Sequence, residues 1–586
     1  MSDNPDPANS ERQEDLQHSA SRPIQPRRRS LVINTHAGSV VGSLGRQGFA
    51  DTFGLQATPL KIVVNIDGPG ERCAVEDGDG GIIDTALGSS AERVLQERED
   101  LLRDNGVNMS YGTSSLHTEA AAIESAWEQA VAQGKISTKV RREFYVLVKN
   151  AAPLAITFFL QYSLTVASIF SVGHLGKDEL GAVSLAAMTG SITGFAMIQG
   201  IATCLDTLCP QSYGAGRFDL VGVYTQKCVA MTLICLLPVF IVWFKADVVL
   251  SFILPEGEEY LISLAARYLR ILTIGMPPYV VFECGKRFLQ AQGIFHASTV
   301  VIVICAPCNV FLNYFLVWNP TWGIGYVGAP LAVAITNWLM MILMILYVVF
   351  IDGKKCWNGF ERSIFSDWGP IFRLAIPGVV MLEAEFMAFE ILTLASSHLG
   401  TVNLAAQTIL STITTLAYEV PFALAVATST RIANFIGARL IKPAILTAKV
   451  AVVMAGGLAT FDALMLYTFR YPISGLFSND QEVVEAAATA FASCSFMLVL
   501  DGLYGVLGGI LRGQGRQYIG GYVNLFAYYG VGVPMALLLA FKFEYGLSGL
   551  WVGISTGVSS AVLILAYNIR YTNWHSVVKQ AEEATS

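Results

Sequence analysis

From about Val146 to the neighbourhood of Thr572, apolar runs of roughly 20 residues follow one another, parted by short polar breaks. A helix needs about that length to cross the hydrocarbon core. No water is present there to satisfy a free backbone, so only helices or closed barrels can span it. Barrel strands are about half as long as these runs. The pattern therefore predicts a polytopic helical membrane protein. Twelve spans are predicted, centred near Leu160, Gly194, Leu236, Gly275, Val310, Met341, Phe386, Phe422, Met454, Leu500, Gly530 and Ser559.

Residues 1–134 do not follow this pattern. They are rich in Asp, Glu, Ser, Gly and Pro and poor in aromatics. Such a composition buries too little surface to offset the cost of ordering, which predicts a disordered acidic tail. Within it, Ile123, Trp127 and Val131 recur every four residues, so a short amphipathic helix is expected near 117–133. "QPRRRS" (25–30) stands where a secretory signal would have an apolar run. It reads as a basic tail segment, with a kinase site or a lipid-attracting patch as alternatives.

The chain then matches itself. "APLAITFFLQYSLTVASIFSVGHLGKDELGAV" (152–183) pairs with "IPGVVMLEAEFMAFEILTLASSHLGTVNLAAQ" (376–407) at one constant offset of 224 residues. Pro153 meets Pro377, and the His-Leu-Gly at 174–176 meets the one at 398–400. "TLCPQSYGAGR" (207–217) pairs with "TSTRIANFIGAR" (428–439), and "RFLQAQGI" (287–294) with "GILRGQGR" (509–516). Two copies of a six-helix unit follow. Six is even, so both copies enter from the same side and are related by an axis along the membrane normal. The predicted fold class is an all-α membrane protein, with 12 transmembrane helices in two pseudo-symmetric six-helix lobes around a central cleft. The expected division is 143–351 (N-lobe), 352–369 (inter-lobe loop), 370–572 (C-lobe) and 573–586 (C-terminal tail).

Composition supports the membrane reading: 53% of residues are hydrophobic and 14% charged, against about 25% charged in soluble domains. Lys and Arg crowd the breaks on one side, at Arg217, Lys286, Arg287, Lys354, Lys355, Arg362, Arg439, Lys442, Arg512 and Arg516. That bias predicts cytosolic termini. No Gly-rich nucleotide loop stands out, so ATP-driven pumping has no motif behind it. "CAPC" (305–308) lacks the second ligand pair that a zinc site needs. No cofactor, metal site, enzymatic activity or nucleic-acid partner is expected.

The residues that conflict with a lipid setting are the acids. Glu283, Glu383, Glu385, Glu390, Glu419 and Asp501 fall inside predicted spans. Intramembrane carboxylates usually face the bundle interior and mark a pathway. By the repeat, Glu385 stands where the first copy has Gln161, Glu390 where it has Val166, and Glu383 where it has Phe159. The acids thus concentrate in the second lobe, which makes that lobe the expected coupling site. At 100° per residue, Glu383 and Glu390 share one helix face, and Glu385 points roughly 140–160° away. Glu283 shares a helix turn with Lys286 and Arg287, which predicts a structural ion pair. Asp206, near the inner end of the second span, is expected to serve local helix and loop packing at the cytosolic gate. Gln161, Tyr162, Phe386, Phe389, Tyr418, Tyr528 and Tyr529 are candidate cleft-lining residues, aromatic faces being suited to organic cations.

"GHLGKDELGAVSLA" (173–186), "LDTLCPQSYGAGR" (205–217), "KRFLQAQGI" (286–294), "AEFMAFE" (384–390), "STRIANFIGA" (429–438) and "GILRGQGRQ" (509–517) together resemble the multidrug and toxin extrusion family over residues 143–572, most like its fungal branch. The resemblance implies a secondary antiporter that exports organic cations or amphiphiles in exchange for H⁺ or Na⁺, expected as a monomer in the plasma or vacuolar membrane. It carries a transport role onto Glu385, Glu390 and Asp501. Pro210, Glu383 and Glu419 depart from the family pattern, and Glu383 and Glu419 join the candidate cation-coupling or substrate residues. A lipid or lipid-linked flippase on a related two-lobe scaffold, and a membrane sensor signalling through residues 1–134, are the alternatives. If both termini are cytosolic, epitope tags at either end should be detected on permeabilised cells and not on intact ones.

Overall fold

The computed structural model describes residues 31–32, 61–65, 72–76, 82–84, 89–107, 116–173, 175–251 and 259–585. The basic "QPRRRS" segment and His174 lie outside them. The chain divides into two units, Met1–Glu92 and Arg93–Ser586. In the first, strands β1 (Leu31–Val32), β2 (Lys61–Asn65), β3 (Arg72–Glu76) and β4 (Ile82–Asp84) form an antiparallel sheet in sequence order. Val63 pairs with Ala74 and Val75 with Ile83. The second unit begins with most of helix α1 (Ser89–Asp104), followed by α2 (Leu116–Ala132). These strands and α1 differ from the disorder expected of an acidic tail. Only α2 was foreseen from spacing.

Twelve long helices follow: α3 (Val140–Gly173), α4 (Asp178–Gly214), α5 (Phe218–Phe244), α6 (Glu259–Ala291), α7 (His296–Trp318), α8 (Gly325–Phe350), α9 (Gly369–Ser397), α10 (Thr401–Gly437), α11 (Ile441–Thr468), α12 (Gln481–Gly513), α13 (Gln517–Lys542) and α14 (Gly546–Arg570). Each expected span centre falls within its helix. A terminal helix, α15 (Trp574–Thr585), closes the chain. Among the described residues, ten of the twelve are long and apolar enough to cross a membrane. The exceptions, α6 and α9, are of comparable length, 33 and 29 residues. They are the helices that hold Glu283, Lys286 and Arg287, and Glu383, Glu385 and Glu390. Both carry charged residues inside an apolar stretch.

Two apolar cores separate the lobes. One is built from residues 172–375, the other from α1, α2 and residues 388–581 with Leu147. The first helix of each repeat belongs to both. Helix α3 starts at Leu147 in the second core and reaches Val172 in the first. Helix α9 starts at Ile371, Leu374 and Ala375 in the first core and continues to Ala388 and Leu392 in the second. Each carries its internal proline, Pro153 or Pro377, between those two seats.

The lobes meet where the basic breaks lie. Leu154 and Phe158 pack on Ala423 and Val426, and the Phe158 and Phe422 rings stand 5.2 Å apart. Gly214 and Gly437, at matching ends of α4 and α10, cross without room for a Cβ: the Asn434 carbonyl covers one and the Gln211 carbonyl the other. Gln211 Nε2 donates to the Gly513 carbonyl at 3.0 Å, and Gln517 Nε2 to that of Thr203 at 3.0 Å. The loop 352–369 is pinned to α5, with Gln226 donating to the Gly359 carbonyl at 2.8 Å.

A buried arginine ties the ends of four helices together here. Arg431 of α10 forks onto Glu143 of α3 with two contacts of 3.1 Å and also pairs with Glu97 of α1. Thr447 of α11 donates to Glu143 at 2.9 Å and Thr138 at 2.8 Å. Nearby, Asp104 takes Lys139 at 3.3 Å and Arg142 at 3.1 Å. Desolvation opposes the charge on Asp104, but these two cations hold it below the ordinary carboxylate value. Helix α15 reaches the same junction, with Glu582 on Arg439 at 2.8 Å. Removing one partner of a buried ion pair costs about 3–5 kcal/mol, because the other charge is stranded. Glu143→Ala is therefore expected to lower the melting temperature of the purified protein strongly. Glu97→Ala, at a carboxylate 40% exposed, should cost less than about 1 kcal/mol.

Candidate functional site

In the second lobe, α9 and α12 bring charged groups within electrostatic reach of each other. Asp501, Tyr504, Gly508 and Arg512 recur at spacings of three and four on α12, which puts them on one face. Glu385 of α9 lies within electrostatic reach of Asp501, Arg512, Tyr418, Tyr504 and Tyr528. Asp501 is 6% exposed, and its Oδ1 has no hydrogen-bond partner among the described residues. The same holds for the Tyr528 hydroxyl and for Asn524 Oδ1. Asn524 spends its amide on the Met381 carbonyl, at 2.9 Å, and on Tyr504. A carboxylate pair with unused oxygens around it can hold a cation or a proton; it has little to offer an anion.

Glu383 and Glu390 lie elsewhere on α9. Both are half-buried and make no hydrogen bond or ion pair among the described residues. They follow a stripe with Ile376, Phe386, Met387 and Leu394, all exposed. Glu385, on the wheel face away from this pair, is the one of the three that interacts with Asp501 and Arg512. Tyr529 faces Glu383 and donates to the Ala384 carbonyl at 3.2 Å. Tyr528 and Tyr529 fall in a π-helical stretch, Leu525–Gly532, with one ring buried and the next partly exposed. Phe389 packs on Trp551 at 6.2 Å, within the apolar core.

The first lobe answers Glu385 with a neutral amide. Gln161 donates to Glu283 at 3.1 Å and to the Tyr279 hydroxyl at 3.2 Å, which Gln199 also meets at 3.2 Å. Glu283 is 1% exposed and fully engaged, with Lys286 at 2.8 Å and Arg287 at 2.7 Å. Arg287 extends to Asp206 at 3.2 Å, and Arg512 approaches the other oxygen of Asp206 at 3.8 Å across the lobe boundary. Glu419 of the second lobe faces Lys286 and Tyr162 of the first. Tyr418 stacks on Phe422 at 5.7 Å and faces Glu385.

A family model, MatE, matches residues 153–315 and 377–538. The chain belongs to the MatE family. The two matched segments begin at the paired prolines Pro153 and Pro377, so each covers one repeat. Among relatives of this MatE transporter is an uncharacterised transporter of Saccharomyces cerevisiae, 44% identical over 75% of this chain and 63% of that protein. The match thus spans less than two thirds of that yeast relative's length. The multidrug and toxin extrusion protein 2 of Mus musculus is 32% identical over 77% of this chain and 78% of its own. The crystal structure of a eukaryotic MATE transporter is 30% identical, with a TM-score of 0.72, covering 76% of this chain and all of that one. The protein is accordingly an integral multi-pass membrane transporter with the two-lobe MATE fold.

Two participants in the MatE site were not singled out for it by sequence. Arg512 reads as one more basic residue of a polar break. Its spacing of 11 from Asp501, three helical turns on one face, was the available signal. Asp206, expected in local packing at the cytosolic gate, stands at the basic end between Arg287 of its own lobe and Arg512 of the other. Its partners come from distant helices, which no local pattern reveals. Glu283→Gln breaks a fully engaged buried network and should destabilise the protein by about 3–5 kcal/mol. Glu383→Gln removes a partnerless carboxylate and should leave the melting temperature within about 0.5 kcal/mol of wild type. Thermal melts in detergent compare the two.

Proposed function

We propose that this transporter is a secondary antiporter that exports organic cations or cationic amphiphiles in exchange for H⁺ by alternating access. The observation that carries the reading is the concentration of unsatisfied acids in the second lobe. Glu385 and Asp501 lie within electrostatic reach of each other there, with unused oxygens around them, while the first-lobe acid Glu283 is neutralised by two cations. A lone carboxylate facing hydrocarbon costs roughly 2.5 kcal/mol or more. Glu383 and Glu390 escape that cost only if their stripe borders a hydrated cleft, so the reading assigns them to its wall with Phe386 and Tyr529. Proton and cationic substrate then compete for the same carboxylates, which is the minimum chemistry of exchange. Glu419 adds a further acid on the facing helix. Exposed ring faces offer an organic cation attraction of about 0.5–2 kcal/mol each.

The seal lies at the basic end, so the opposite end is the open one. With the Lys and Arg bias marking the cytosolic side, that makes the conformation outward-facing. It would accept protons from outside and has already closed behind an exported cargo. A phosphate-bearing lipid as cargo fits poorly with acids as the dominant wall chemistry.

The test is counterflow of a cationic dye by the purified full chain in vesicles, with pH and Na⁺ gradients varied independently. Transport should follow the pH gradient and ignore Na⁺. Transport that follows Na⁺ alone would reassign the coupling ion, and transport indifferent to both would sink antiport. Glu385→Gln should lose gradient-driven counterflow. It should also weaken dye binding by roughly ten- to a hundredfold, the worth of one charge-assisted contact of about 1.5–3 kcal/mol.

A further inference from the structure

We propose that Arg512 is a positioning residue that couples the charge on Glu385 to the seal between the lobes. A run of charges alternates in sign across the molecule. Lys286 meets Glu283 at 2.8 Å, Glu283 meets Arg287 at 2.7 Å, and Arg287 meets Asp206 at 3.2 Å. Asp206 meets Arg512 at 3.8 Å, and Gly508, one turn before Arg512, packs against Met381, one turn before Glu385, which leaves Arg512 in the field of Glu385. The first four residues belong to the first lobe and the last two to the second. Lys286, Glu283, Asp206 and Arg512 are each 6% exposed or less. The Nε and Nη2 atoms of Arg512 lack a hydrogen-bond partner among the described residues. Its charge is therefore balanced by field and proximity rather than locked by a fork such as that of Arg431 on Glu143. It can be shared between an acid on each side.

With Glu385 ionised and the two further acids facing this chain, Asp501 and Glu419, protonated, the six charged groups sum to neutrality. Loading Glu385, with a proton or with a cationic substrate, leaves one positive charge in excess. An uncompensated buried charge is costly, and the cheapest relief is to hydrate it. Arg512 sits beside the Gln211–Gly513 and Gln517–Thr203 contacts that hold the lobes together at the basic end. Parting those contacts admits water to Arg512. The empty carrier then keeps its seal and either loaded form loosens it, which is the condition for exchange without leak. Asp501 faces Glu385, Glu419 faces Lys286, and Tyr418, Tyr504 and Tyr528 line the same space. This inference rests on the antiport reading for its meaning, but the ion chain can be tested by itself.

The experiment measures the distance between spin labels at positions 217 and 442, both exposed at the basic end and outside the chain of charges. The full-length protein is reconstituted in vesicles at low and at high pH. Wild type should shift toward long distances at low pH, by roughly tenfold or more in population. Glu385→Gln should show long distances at both pH values. Adding Arg512→Gln to Glu385→Gln removes the excess charge and should return the short distance at both. If that double variant fails to fold, Asp206→Asn serves in its place, since it also leaves one positive charge in excess and should open the seal at both pH values. A double variant as open as Glu385→Gln, or Asp206→Asn as closed as wild type at high pH, overturns the proposal. Dye counterflow is measured alongside. Label distances that follow charge without any proton-driven counterflow would support the ion chain while removing the antiport reading. Counterflow that follows pH while the distances stay fixed overturns the chain and spares the reading.

Discussion

Charge that leaves water must be balanced by charge that leaves with it, and in this protein part of that balancing is done between the lobes. Asp206 of the first lobe stands between Arg287 of its own half and Arg512 of the other. Glu143, at the start of the first repeat, satisfies Arg431 in the second. Apolar packing alone would let the two halves slide, because one greasy contact resembles another. Buried ions do not allow that freedom. They fix which residues face each other when the basic end is shut, and they make the shut state sensitive to any change in the charges nearby.

The duplicated scaffold sharpens this point. Both copies begin with a proline-containing helix and both cross at a glycine, so their backbones offer the same opportunities. The side chains use them differently. Where one copy has Gln161, already engaged with Glu283, the other has Glu385, facing a second acid. One half is electrostatically settled and the other is left poised. Asymmetry of chemistry on symmetry of shape lets a single moving boundary report on a single site.

Much of this was legible in the chain. The span count, the repeat and the interior acids follow from rules that act locally or at one fixed offset, namely hydrocarbon thickness, internal similarity and the cost of charge in lipid. On a helical wheel Glu385 already points away from Glu383 and Glu390. The role of Arg512 was hidden because Lys and Arg near a helix end have an ordinary explanation in membrane orientation. Its partner Asp206 lies 306 positions away in the same molecule. Phe389, a plausible wall aromatic by type, is committed to Trp551, and only packing could say so. Helix α1 was missed because an acidic composition argues against order. It forms where Leu101 and Leu102 find an apolar seat and Glu97 finds Arg431, none of which is visible within residues 1–134.

The exchanged first helices bear on how such a chain can be made. Neither core is complete when its own six helices have been synthesised. The first lacks Ile371, Leu374 and Ala375, which emerge only with the second repeat. The second holds Leu147, which left the ribosome long before it. The Glu143–Arg431 contact closes over 288 residues, and contacts of such separation form late because loop closure must come first. The halves therefore cannot mature one after the other as independent domains do. The first must wait in the bilayer with an open seat until its neighbour arrives, and assembly finishes as a mutual clasp rather than as two separate events.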